Sequence, residues 1–241
     1  SDIMSYAVSR GLVEFNFLYD LSKSFTPPKV TPLPTIRPDE LPKFLKDFSM
    51  AGLKFTTRCQ IEWLLHTMVR PSEGAATRWE EFDLDKKIWI IPGLKMKNPG
   101  KAVIVDFDDH VVPLSNQAIK LLEVMRPMSG HRDYVFPGLR DPMSCINSQS
   151  ANTAIIRMGY AGKFVSHSLR KVASTHLNEK GFNSDYIEKA LSHQDKNRLR
   201  AVYNKAEYIE PRREVMQVWS DFIETSAKET YANLQSAVGN L

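Results

Sequence analysis

The sequence predicts an α+β fold that is mostly helical, with one small antiparallel sheet early in the main domain. Two observations predict it. Apolar residues recur at helical spacing on both sides of residues 88–113, and the β-branched runs are confined to that window. No internal repeat appears, which argues against a solenoid. With 241 residues, 42% hydrophobic and 25% charged, the chain is long enough to bury a core and is not composed like a disordered one.

Residues 1 to 19 read as a short helix ending in an aromatic cluster of Phe15, Phe17 and Tyr19. Pro27, Pro28, Pro32, Pro34 and Pro38 follow. Proline lacks an amide donor and restricts the residue before it, so this stretch is expected to be extended and unpacked. Asp39 offers a cap for a helix with Leu41, Phe44, Leu45 and Phe48 on one stripe. A second helix starts near Thr56 and carries Ile61, Leu64, Leu65 and Met68. It stops at Arg70-Pro71, because a residue before proline is pushed out of the helical region.

Strands are predicted at Ile88–Pro92, Ala102–Val105 and Val111–Pro113, with a lysine-rich turn (Lys95, Lys97, Lys101) between the first two. Ser115 caps a helix with Ala118, Leu121, Leu122 and Met125. Another helix runs from His167 to Lys180, with Leu169, Val172, Ala173 and Leu177 inward and Gly181 just past its end. Ser184 begins a short helix to Leu191, and a last one has Val215, Val218, Trp219 and Phe222 on one face.

Net charge is +4, mild for the whole chain. Residues 157 to 213 hold twelve Lys/Arg against six Asp/Glu, so the C-terminal third carries the basic character. Cys59 and Cys145 have no metal-type neighbour, and two lone thiols fit a reducing cytosol. No apolar run is long enough to span a membrane, and no signal peptide is visible. The start at Ser1, without methionine, reads as a fragment of a longer protein.

Five positions could carry chemistry: Arg70, His167, Arg170, His193 and Tyr203. Each has a bland reading when taken singly. An arginine at a helix end is usually a solvated cap, and a tyrosine is usually half-buried packing. Their order and company narrow the choice. Arg70 is followed at i+3 by Glu73; His167-Ser168-Leu169-Arg170 opens a helix; His193 falls just past a helix end; Tyr203 follows ten residues later. His176 lies nine residues after His167, two and a half helical turns on, so the pair cannot share a metal. His66, His110 and His131 show no ligand spacing either.

This order resembles the catalytic domain of tyrosine recombinases, and most closely the integrases of temperate and satellite phages and of genomic islands. The stretch Glu210-Pro211-Arg212-Arg213 to Trp219 is also similar to the island subgroup. The resemblance covers residues 40 to 225. It implies DNA strand cleavage by Tyr203 through a 3′-phosphotyrosyl intermediate, with Arg70, Arg170, His167 and His193 around the phosphate. It assigns the leaving-group acid to a lysine of the sheet turn. Lys97 aligns best, with Lys95 and Lys101 as competitors. Glu73 is expected to orient Arg70 or His167. Tyr208, five residues beyond Tyr203, is the rival nucleophile.

The physical reading agrees. Planar arginine forks bind phosphoryl oxygens bidentately and stay charged. A phenol of ordinary pKa needs a nearby base or cations. No cofactor is implied, because the phosphotyrosyl bond conserves the energy of the broken one. The implied partners are double-stranded DNA attachment sites, three further copies of the chain in a tetramer on DNA, and an accessory directionality or bending factor. The implied place is the bacterial cytoplasm. Residues 1–22 are then the end of a core-binding domain, 23–40 a linker, 41–225 the catalytic domain and 226–241 a tail. The alternatives are a degenerate DNA-binding protein of the same fold, or a type IB topoisomerase-like or resolvase activity.

Overall fold

The computed structural model describes residues 2–19, 21, 25–26, 31–96, 109–193 and 207–238. The predicted strand at 102–105, Lys97, Lys101 and Tyr203 lie outside the described residues. The chain divides into two compact units, residues 1–32 and 33–241. In the first, helix α1 (Asp2–Ser9) is followed by turns, and Phe15 packs on Phe17 with ring centroids 4.0 Å apart.

The second unit begins inside the proline-rich stretch. Ile36 and Pro38 are buried and residues Pro38–Glu40 form a 3₁₀ turn, so this end of the expected linker is packed rather than extended. Pro38 suits the first position of the turn, where an amide has no partner to lose. Asp39 sits within that turn, and it is Glu40 whose carboxylate accepts the Arg37 amide at 2.8 Å. Helix α2 (Leu41–Met50) then buries Leu41, Phe44, Leu45 and Phe48, the stripe predicted.

Helix α3 (Phe55–Thr67) is buried on nearly every side, Trp63 and Ile61 completely. It buries polar Thr56, Thr57, Gln60 and Thr67 along with its apolar residues, which places it at the centre of the core. It packs against α5 (Asn116–Ser129), α6 (Ser150–Ile155) and α9 (Ile209–Val238). Helix α4 (Pro71–Ala75) follows after a short extended break.

The described sheet is β1 (Phe82–Asp83), β2 (Ile88–Ile91) and β3 (His110–Pro113), antiparallel in that order. β1 was not predicted: a two-residue strand is too short to show alternation. Its Phe82 joins Trp63 and Trp89 in an aromatic cluster with centroids 5.3–6.0 Å apart. Ser115 caps α5 as expected, its hydroxyl accepting the Ala118 amide. Helix α6 passes into a wider turn at Ile156–Tyr160 and is ended by Gly159 at φ 91°.

Helices α7 (Leu169–Glu179) and α8 (Ser184–Ala190) match the sequence reading, with a 3₁₀ turn at Ser166–Ser168 ahead of α7. α9 continues to Val238, through most of the stretch read as a tail. Trp219, wholly buried, anchors α9 by donating to the Leu65 carbonyl at 2.6 Å. His176 is buried and stacks on Phe222, whereas His167 is exposed, so the two do face apart. No helix among the described residues is long and apolar enough to cross a membrane.

Candidate functional site

The site is built where two helices end. α3 closes on Met68 in the left-handed conformation (φ 56°), and α8 closes on Leu191 with Ser192 left-handed after it (φ 51°). Helix C-termini expose unpaired carbonyls that favour cations. Two arginines fill that need. Arg170, in the first turn of α7, donates to the Met68 carbonyl at 2.7 Å and also to the Leu191 carbonyl. Arg70 donates to the Ser192 carbonyl at 3.1 Å. Residues a hundred positions apart in sequence thus meet on one turn.

Glu73 fixes Arg70. Its carboxylate accepts the Arg70 Nη1–H at 2.7 Å and the Arg70 amide at 2.8 Å. Arg70 is the residue before α4, so one carboxylate both caps that helix and orients the guanidinium. Of the two roles the sequence left open for Glu73, it is placed in the first, on Arg70. Its side chain is 1% exposed against 18% for Arg70.

Arg170 is 4% exposed. Burial first, and the Arg70 charge second, pull its pKa down to about 10, with Glu73 and Glu188 opposing. It therefore keeps its charge at neutral pH.

His193 follows the Leu191–Ser192 turn directly. Its Nδ1 lies 2.7 Å from the Glu188 carboxylate, and both side chains are about half exposed. Nε2 is the ring nitrogen that Glu188 does not engage. His167 is exposed in the 3₁₀ turn, three residues before Arg170. Lys95 is engaged by Glu81, which is buried and also accepts from the Trp89 indole at 3.0 Å.

Sequence reading missed a second polar group beside these residues. His110 opens β3 facing inward and is 6% exposed. Burial, and then the charges of Arg212, Lys189, Arg170 and Arg70, push its pKa down to about 3. Arg212 is wholly buried on α9. The stripe it shares with Val215, Trp219 and Ile223 was the available signal, since a charge on an apolar stripe is not a solvated one.

A depressed histidine pKa has a definite consequence. Between about pH 6.5 and the folded value the unfolded chain binds the proton and the folded one does not, so stability is lost as pH falls. His110 should account for about 3 kcal/mol of loss by pH 4. His66, also pushed down by burial, to about 4, adds to the same slope. Urea unfolding from pH 7 to pH 4 should be markedly flatter for His110→Gln; an unchanged slope would contradict the assignment.

Comparison with known proteins adds ancestry to this geometry. The model described as Phage integrase family matches residues 34–210. Prophage integrase IntA of Escherichia coli (strain K12) is 41% identical over 226 residues, 94% of this chain and 53% of that protein. The integrase of Enterobacteria phage P4 is 32% identical over 240 residues, 92% of this chain and 52% of that protein. The chain spans about half the length of the curated relatives it matches. A lambda integrase fragment (75–356), solved as a dimer bound to a COC′ core site, is similar at a TM-score of 0.56 and 15% identity, over 82% of this chain and 70% of that one. The integrase from mycobacterium phage Brujita gives 0.55 and 18%, over 90% and 68%. At such identities the likeness is one of fold.

Proposed function

Because the chain belongs to the phage integrase family, we propose that it is the catalytic part of a site-specific DNA recombinase that cleaves and rejoins strands through Tyr203. The observation that carries this reading is the convergence of Arg70 and Arg170 on the Leu191–Ser192 turn, with Glu73 clamping Arg70. Two fixed cationic forks beside one another suit a phosphodiester whose oxygens gain charge in the transition state. One such preorganised donor is worth roughly 10²–10³ in rate.

In this account the Tyr203 Oη attacks the phosphorus while the bond to the 5′-oxygen breaks. His167 takes the phenol proton, and Nε2 of His193 hydrogen-bonds a phosphoryl oxygen. The departing 5′-oxygen receives a proton from a lysine. Since Lys95 is held by Glu81, Lys97 is the first candidate and Lys101 the second. A 5′-hydroxyl from a partner duplex then attacks the phosphotyrosine and releases Tyr203, so one phosphoester replaces another with no net hydrolysis. Tyr208 is a weaker nucleophile candidate, because its ring packs on Tyr186 with centroids 5.1 Å apart.

Integration or excision of a mobile element would take a tetramer on two attachment sites in the bacterial cytoplasm, with an accessory bending or directionality factor. A solved lambda integrase tetramer bound to a Holliday junction, similar in fold at a TM-score of 0.55, supports that assembly by analogy. The test is a pool of nicked duplexes, whose short product diffuses away and traps the covalent complex. A DNA-linked band on denaturing gels is expected from the native chain and not from Tyr203→Phe. DNA binding without any band would favour the degenerate DNA-binding alternative.

A further inference from the structure

We propose that Arg212, Glu207 and Lys189 form a positioning anchor that fixes the chain at Glu207, four positions after Tyr203. The inference rests on the recombinase reading above. It begins from a buried charge that packing does not explain. Arg212 is 0% exposed on the inner stripe of α9, where an apolar residue would cost less. Its Nη1 donates to the Glu207 carbonyl at 3.0 Å, and its Nη2 donates to the Val111 carbonyl of β3. The Glu207 carboxylate in turn pairs with Lys189 of α8 at 2.6 Å. Glu207 is thereby tied to β3 through one arginine and to α8 through one lysine.

α8 is the helix whose closing carbonyls receive Arg170 and Arg70. The anchor and the arginine site therefore share an element, with Lys189 only two residues before Leu191. Chain length sharpens the point. Tyr203 stands four positions before Glu207, and that much chain reaches at most ~14 Å. It stands ten positions after His193, a reach of ~35 Å. Glu207 is the tighter tether on the proposed nucleophile.

Two further features mark the anchor as more than a packing tie. Tyr208 holds a left-handed backbone (φ 48°) against its Cβ, a conformation kept only where surrounding contacts impose it. Among the described residues, the buried side-chain atoms lacking a hydrogen-bond partner include Arg212 Nε, Glu207 Oε2 and His110 Nε2. Glu207 Oε2 nonetheless lies 3.7 Å from Arg212 Nη1, so this carboxylate is also the counter-charge of the buried guanidinium.

The test breaks the Lys189–Glu207 pair, whose side chains are 33% and 38% exposed, and leaves the buried arginine in place. Single-turnover cleavage of a nicked duplex would be measured at saturating DNA for the native chain, Lys189→Met, Glu207→Gln, the double variant and Lys189→Arg, with Kd and Tm alongside. Misplacing a reacting group by about 1 Å costs as much as 10²-fold. Lys189→Met should cleave at least ~10-fold more slowly at unchanged Kd and Tm; Glu207→Gln should slow cleavage at least as much but with a lower Tm, because Arg212 also loses its counter-charge. The double should be no slower than the slower single, and Lys189→Arg should return to near the native rate. Native cleavage with unaffected single variants, with losses that multiply in the double, or with a Lys189→Met loss that tracks Tm, would overturn the anchor and leave the recombinase reading standing. No adduct from the native chain would sink both.

Discussion

Arg170→Ala should remove cleavage and a large part of the stability together. Arg170 ties the end of α3 to the end of α8 through the carbonyls of Met68 and Leu191. Both carbonyls sit in the interior beside a 4%-exposed guanidinium. A buried acceptor stripped of its donor costs about 1–3 kcal/mol, so two of them make a loss of about 2–6 kcal/mol. The rate should fall by roughly 10²–10³ even in the fraction that remains folded. Arg170→Lys should rescue little of either, because an ammonium is a point charge and cannot span two carbonyls and a phosphate as a planar fork does. Urea unfolding and single-turnover cleavage, run on the same preparations, separate the two effects. A variant with native stability would mean that the two carbonyls are satisfied by other groups.

Glu73→Ala should be nearly as damaging, for a different reason. It leaves a mostly buried guanidinium without its counter-charge and the Arg70 amide without its acceptor. Removing one partner of a buried pair costs about 3–5 kcal/mol, and the 18% exposure of Arg70 puts the expectation at the lower end. Glu73→Gln keeps the shape and one acceptor oxygen, so its cost should be well under half as large. Cleavage should suffer more than DNA binding in both variants, since Arg70 stays on the chain but loses its fixed direction. Equal losses in Kd and rate would show that Glu73 acts on the fold alone.

Much of this arrangement was legible in the sequence because it follows local periodicity. The stripe Leu41, Phe44, Leu45 and Phe48 is the buried face of α2, and the Ser115 cap closes the hydrogen bond its position predicts. Arg70 and Glu73 could be paired by spacing, since i and i+3 are neighbours at the start of a helix. Other features depend on contacts across long stretches of chain. That Ser192 and Leu191 offer their carbonyls to the two arginines is set by how α3, α7 and α8 meet, and no spacing encodes it. Proline content suggested an unpacked linker, yet it fixes only the backbone; Ile36 and Pro38 are drawn in by the apolar surface they meet.

The lysine turn shows the same limit. Lys95 competes with Lys97 in sequence, and only the fold shows that Glu81, fourteen residues earlier, holds it. Arg212 carries a signal in its apolar stripe, whereas a histidine in a strand such as His110 has an ordinary reading in sequence. Only their burial together beside Arg170 changes that.

The central claim is that Tyr203 becomes covalently linked to DNA. The most direct measurement is protease digestion of the trapped complex, followed by mass spectrometry of the nucleotide-bearing peptide. The account predicts a 3′-phosphonucleotide on Tyr203, carried by the peptide that includes Asn204 and Lys205. A nucleotide on Tyr208, on a serine or on a histidine, or a trapped complex that survives Tyr203→Phe, would contradict it.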